Sequence, residues 1–247
     1  MTDTNRRTFL KTTALGAASL PFLKVMPAMA EGRDTLVVVS GQTINSLDLH
    51  RVGTNRASYQ VAINCYDRLV SFGTKTLPTG ELSYDYENIV PELAESWSLS
   101  DDGLVITFHL KPNATFWDGR KVTAEDVKWS FDRAVSVGGF PTTQMRAGGL
   151  SRPDQFTAVD ENTFTVTLDF PSKLSLPDLA VPVPFIINAE VAKANATAED
   201  PWAMEYLHQT PAGSGAFKVA RWDQGQQLGY ERNDGWVGGP LPAVQRV

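Results

Sequence analysis

The chain has 247 residues, with 22 basic and 28 acidic side chains giving a formal charge of −6, and 42% of its residues are hydrophobic, including six Trp and twelve Phe. That apolar content is enough to build a sizeable core, and the acidic balance excludes nucleic acid and anionic membrane as partners. A single cysteine excludes an intrachain disulfide framework.

At the amino terminus, Asn5-Arg6-Arg7-Thr8-Phe9-Leu10-Lys11 precedes a modest apolar stretch, Thr12 to Leu23, and then Ala28-Met29-Ala30. This is the arrangement of a bacterial export signal cleaved after Ala30. The paired arginines followed by Phe-Leu-Lys resemble the twin-arginine type, which exports folded proteins. A dozen apolar residues are too few to cross a hydrocarbon core needing about 20. The signal holds Arg6, Arg7, Lys11 and Lys24 against Asp3, so the remainder has 18 basic and 27 acidic residues and a formal charge of −9. Folding before export suits the lone Cys65, which lies among Val61, Ala62 and Tyr66 and is expected to be a buried packing residue. No cysteine stands at the end of the signal to take a lipid, so a soluble periplasmic protein is expected.

Leu36 to Val39 is a continuous apolar run suited to a buried strand, followed by a polar loop, Ser40 to Asp48. Thr54 to Tyr66 reads as a helix. Trp97 and Leu99 alternate with serines up to the turn Asp101-Asp102-Gly103, after which Ile106, Phe108 and Leu110 alternate with Val105, Thr107 and His109, a hairpin with one apolar face. Trp117-Asp118-Gly119 supplies another turn. Thr123 followed by Asp126 has the form of a helix cap, and Ala124, Val127, Phe131, Ala134 and Val135 then recur at helical spacing, leaving Lys128, Asp132 and Arg133 to solvent. Gly138 to Asp154, rich in Gly and Pro, reads as an irregular surface loop or cleft edge. Thr157 to Phe170 is a second hairpin, around Asp160-Glu161-Asn162. Pro177 to Pro184 breaks regular structure before a strand at Phe185 to Ile187, and Pro211 to Phe217 forms a glycine-rich turn.

Catalytic patterns are missing. Gly213-Ser214-Gly215 is not a G-x-S-x-G elbow, no His follows it, and no Lys-Ser/Thr makes it a phosphate loop. His50, His109 and His208 are far apart and form no metal-binding motif, although His50 lies near the first polar loop. Neither a metal nor a cofactor is expected.

The ordered series Ala94-Glu95-Ser96-Trp97, Asp101 to Leu104, Phe108 to Leu110, Phe116, Asp118-Gly119 and Thr123 to Val127 resembles the signature of the family 5 extracellular solute-binding proteins, the dipeptide, oligopeptide and nickel receptors of ABC importers. Asp67 to Val70, the Thr157 to Phe170 hairpin and Pro211 to Phe217 are similar to further segments of that family. The resemblance implies an α/β, periplasmic binding protein-like two-lobed fold (class II, cluster C type) that closes around a solute and is read by the permease. After the signal peptide at 1–30, it implies a first lobe from 31–67 and 185–247, and an extra subdomain at 68–184. Members run to about twice this length, so the expectation is an amino-terminal fragment, incomplete in its first lobe, with the second lobe beyond Val247.

The expected ligand contacts are Tyr59, whose helix start the family layout sets beside the cleft, Asn45 and Ser46, whose polar groups and free backbone amides in the first polar loop suit a ligand end, and Met145 and Arg146 in the irregular segment. The expected ligand is a peptide, with nickel chelates, opines and oligosaccharides as alternatives. The expected partners are that ligand and the ABC permease subunits of the inner membrane, and the protein is expected to be a monomer. A secreted enzyme or a sensory binding protein are the rival classes.

Overall fold

Two antiparallel hairpins join to form the central sheet of the computed structural model, which describes residues 34–247. Strands β3 (Ala94–Leu99) and β4 (Val105–Leu110) pair around a turn whose Gly103 takes φ 71°, a left-handed value open to glycine without cost. Asp102 Oδ1 fixes that turn by accepting from Leu104 N at 3.0 Å. Strands β5 (Phe156–Ala158) and β6 (Thr163–Thr167) repeat the device, with Asp160 Oδ1 accepting from Asn162 N and Thr163 N, both at 2.8 Å. The sheet order is β3-β4-β6-β5. Period-2 alternation puts Ile106, Phe108, Leu110, Phe164 and Val166 on one buried face, whereas Leu99 at the sheet's outer strand is exposed.

Helix α2 (Ala124–Ser136) covers that face. Its cap forms as the spacing predicts: Asp126 Oδ2 accepts from Thr123 N at 2.9 Å and from the Thr123 hydroxyl at 2.8 Å. The apolar stripe Ala124, Val127, Phe131, Ala134 and Val135 is buried throughout. Phe131 meets Phe156 and Phe164 edge to face, with centroids 5.3 and 5.4 Å apart, a favoured aromatic geometry.

Helix α1 (Tyr59–Cys65) follows a 3-10 turn at Arg56–Ser58 and buries Val61, Ala62 and Cys65. Residues 71–90, for which the sequence pattern predicts no helix or strand, lie in a long hairpin of β1 (Val70–Thr76) and β2 (Leu82–Pro91) with a register shift at Phe72/Gly73. The segment 139–147 is helix α3 (Gly139–Ala147), not a loop. Its Gly and Pro sit at the amino-terminal end, where they start a helix rather than break one. Three short helices, α4 (Ser175–Asp178), α5 (Ala189–Ala194) and α6 (Met204–Leu207), precede the hairpin of β7 (Phe217–Asp223) and β8 (Gln227–Arg232).

Phe185 to Ile187 is fully buried but belongs to no ladder. Its amides go instead to scattered partners: Ile186 N donates to Asp67 O at 2.8 Å and Ile187 N to Ser130 Oγ at 2.8 Å.

Leu36 to Val39 also departs from expectation. Thr35 bridges Arg246, Leu36 N donates to Arg246 O, and pairing then stops. The four side chains are 49, 79, 62 and 94% exposed. Their apolarity encodes a preference for burial, but among the described residues no neighbouring strand covers them. Leu36, Val37 and Val38 border an open groove of about 740 Å³ with Phe217, Trp222, Leu228, Tyr230 and Val244. Among the described residues no helix is long and apolar enough to cross a membrane. The signal expected at 1–30 lies outside the described residues. Residues 34–247 form one compact unit.

Candidate ligand-binding site

Arg133, expected in solvent, is fully buried. Its Nη1 donates to Asp48 Oδ1 at 3.0 Å, Nη2 to Asp48 Oδ2 at 2.5 Å, and Nε to Trp202 O at 3.0 Å. The guanidinium thus satisfies most of its fork and pins the loop after Ile44 to helix α2. Burial alone would raise the Asp48 carboxyl, but the paired Arg133 charge holds it below its ordinary value. His50 lies alongside, fully buried, its ring 4.3 Å from that of Phe185. Its Nε2 is 2.7 Å from Val183 O, and since a carbonyl only accepts, Nε2 carries the proton. Burial, reinforced by Arg133, lowers His50 to about 4, so the ring is neutral at physiological pH. His50 is therefore a core residue rather than a ligand contact.

Above this anchor the loop braces itself. Asn45 Nδ2 donates to Gly53 O at 3.0 Å, and Asn45 Oδ1 accepts from Asn55 N at 2.9 Å. Ser46 N donates to Ser58 Oγ at 3.3 Å, and the Ser46 hydroxyl donates to Asp48 O at 2.9 Å. Asn55 caps the turn that leads into α1, accepting from Ser58 N at 3.2 Å. The loop and the start of α1 therefore enclose an open cavity of about 600 Å³. Leu49 forms its buried floor, and Tyr59, Val52, Gly53 and Thr54 form its walls together with Arg51 and Arg56.

The far wall is Phe140. At the end of α2 the chain reverses through Gly138 and Gly139, whose φ values of 77° and 65° lie in the left-handed region. A Cβ on Gly139 would stand 3.2 Å from Val52 Cγ2, so α3 starts hard against the loop. That reversal brings the Phe140 ring to 6.0 Å from Tyr59, at a 53° tilt. Burial raises the Tyr59 hydroxyl's pKa against the opposing Arg56 charge, keeping it neutral.

The fold thus gathers Asn45, Ser46 and Tyr59 into one neighbourhood. Tyr59 lines the cavity, while the side chains of Asn45 and Ser46 are spent on bracing the loop. Met145 is fully buried and has no surface to offer a ligand; Arg146 is exposed in the last turn of α3. Both stand apart from the cavity lining. Arg51, Arg56 and Phe140 escaped the sequence reading. The available signal was a pair of arginines bracketing Val52-Gly53-Thr54-Asn55, and an aromatic residue directly after Gly138-Gly139.

The glycine-rich turn serves packing. A Cβ on Gly213 would lie 1.9 Å from Cys65 O, and one on Gly215 would lie 2.5 Å from Cys65 C. Between them the Ser214 hydroxyl donates to buried Asp67 at 2.7 Å, which also accepts from Trp236 Nε1 at 2.8 Å. Among the described residues no three His, Cys, Asp or Glu side chains are grouped to hold a metal ion.

Residues 88–247 match the family described as "Bacterial extracellular solute-binding proteins, family 5 Middle". The chain is 37% identical over 215 residues to the probable D,D-dipeptide-binding periplasmic protein DdpA of Escherichia coli, an alignment covering 87% of this chain and 39% of that protein. Its fold is similar to that of the periplasmic binding protein DppA of Helicobacter pylori solved with the peptide STSA, at 27% identity and a TM-score of 0.67, covering 83% of this chain and 40% of that one. It is also similar to AgaA of Agrobacterium tumefaciens solved with agropinic acid, at 28% identity and a TM-score of 0.61, covering 83% and 36%. The chain therefore spans about 40% of the length of the relatives it matches.

Proposed function

The chain belongs to the bacterial extracellular solute-binding proteins of family 5, and from that premise we propose that it is the solute-binding subunit of an ABC importer, holding a peptide in a cleft and presenting it to the permease. One observation carries the binding reading. The preformed cavity between the 45–59 loop and α3 has an aromatic wall, an apolar floor and cationic corners, as small-solute sites do. Tyr59 is the contact we retain from the expected set, with Asn45 and Ser46 holding its loop in shape. The division into a lobe of 31–67 and 185–247 and a subdomain of 68–184 belongs to the same proposal. So does a hinge closure that converts ligand contacts into a shape the permease distinguishes.

Periplasmic residence follows from the periplasmic relatives. Export by the twin-arginine route is supported by Arg6-Arg7 with Phe9-Leu10-Lys11. We read it as a binding protein rather than an enzyme: the family and the relatives are solute-binding proteins, and the Ser214 hydroxyl and the buried Asp67 carboxylate serve the packed turn. The agropinic acid bound by AgaA makes an opine the second ligand reading.

A thermal-shift screen of the protein against di- and tripeptides, opines, nickel chelates and oligosaccharides tests this function. A true ligand stabilises the folded state by mass action, about 2.7 kcal/mol at a hundredfold excess over Kd. Stabilisation by peptides is the expected result. A response to none of the four classes refutes the proposal.

A further inference from the structure

We propose that the cavity beside Tyr59 selects a small carboxylate, its anionic end held between Arg51 and Arg56 and its apolar portion laid against the Tyr59–Phe140 wall; the proposal rests on the solute-receptor reading and names its ligand chemistry.

The Arg51 guanidinium is only half used. Its Nη2 pairs with Glu205 Oε1 at 2.9 Å, an acid whose side chain is 72% exposed, while its Nη1 is buried and has no hydrogen-bond partner. A charged donor without an acceptor is costly, and because the Arg51 side chain is 29% exposed and tied only to the exposed Glu205, a rotation of its guanidinium brings that donor to an arriving negative oxygen. Arg56 lines the same cavity and forms no ion pair among the described residues. No acidic side chain lines the cavity. The nearby Asp48 carboxylate is taken up by Arg133 and by the His50 amide at 2.9 Å. In a chain with net charge −6, a recess lined by two arginines, of which only Arg51 has an acidic partner, concentrates positive potential around Arg56.

Guanidinium groups suit carboxylates because their planar N–H forks match two oxygens at once. Inorganic phosphate would meet the same arginines, but it would leave the aromatic pair and the Leu49 floor without a partner. A carboxylate bearing an aliphatic or aromatic group uses both halves of the cavity. Glu205 sets the competition, since an arriving carboxylate shares the Arg51 fork with it.

Three probes decide the matter: 3-phenylpropanoate, its neutral amide 3-phenylpropanamide, and inorganic phosphate. Each is titrated into the nitrogen-15-labelled chain while the arginine Nε–H and backbone signals are followed. The acid should shift Arg51, Arg56 and the Tyr59 region saturably, binding about tenfold more tightly than the amide or phosphate. Arg51→Gln and Arg56→Gln should each weaken the acid about fivefold or more and leave the amide unchanged, whereas Arg146→Gln, outside the cavity, should change nothing. Arg56 is exposed, so its variant remains informative if Arg51→Gln alters the fold.

Equal affinity for acid and amide overturns the proposal, as does phosphate binding as tightly as the acid, or variants that leave the acid's affinity intact. Peptides or opines that stabilise the wild type and both glutamine variants alike would sink this inference and spare the receptor reading. Probe behaviour as expected alongside a silent ligand screen would do the reverse.

Discussion

Replacing Arg133 with Met removes the charge that holds the 45–58 loop to α2 while keeping a long apolar side chain in its place. Asp48 would then remain 1% exposed with only the His50 amide donating to it, and Trp202 O would lose its guanidinium donor. Breaking one side of a buried pair strands the other charge, which costs about 3–5 kcal/mol. For a protein of this size each kcal/mol moves the melting temperature by about 2–4 °C, so the loss should be about 10 °C. Urea denaturation and thermal melts followed by circular dichroism measure it. Asp48→Asn in the Arg133→Met background should recover part of the loss by discharging the stranded group, and the double-mutant cycle should show a coupling of about 2 kcal/mol or more. A single variant within about 1 kcal/mol of wild type, or a double variant no better than the single, would refute the claim that this ion pair organises the loop.

His50 titrates near 4 when folded against 6.5 when unfolded, so the unfolded chain binds more protons between those values and the wild type loses stability as pH falls through them. His50→Gln keeps a donor for Val183 O without that proton linkage, and should gain on the wild type by up to ~3 kcal/mol between pH 6.5 and 4; parallel pH profiles in urea would contradict it. Gly213→Ala drives a methyl into Cys65 O, 1.9 Å from the ideal Cβ position, and should prevent soluble folding or cost more than about 3 kcal/mol; a wild-type melt from that variant removes the close-approach argument. Cys65 is fully buried and its thiol is pushed well up by burial, so iodoacetamide should label it only after denaturation. Rapid labelling of the native protein would mean that the thiol is accessible.

The two hairpins of the central sheet were legible because each carries its own instructions: an Asp that accepts turn amides and alternation on the flanking strands, with Gly103 supplying a positive φ in the first. The α2 cap and stripe were legible for the same reason. Arg133 was misjudged because local periodicity places it beside wet positions, and only a carboxylate 85 residues away in sequence makes its burial affordable. Leu36 to Val39 shows the converse, since apolarity records a demand for a partner but not which segment meets it. Gly139 and Pro141 read as breakers, although at a helix start they cost little. The candidate site was half legible. Tyr59 and the loop residues Asn45 and Ser46 could be placed, but Phe140 reaches Tyr59 only through the Gly138-Gly139 reversal, a tertiary event without a local pattern.

The most direct test of the account is isothermal titration of the protein with a peptide from the stability screen, followed by analysis of the recovered ligand. A single saturable site, with the peptide recovered chemically unchanged, is what a solute-binding subunit predicts. Absence of binding by any peptide or opine, or recovery of a cleaved or modified product, would contradict it.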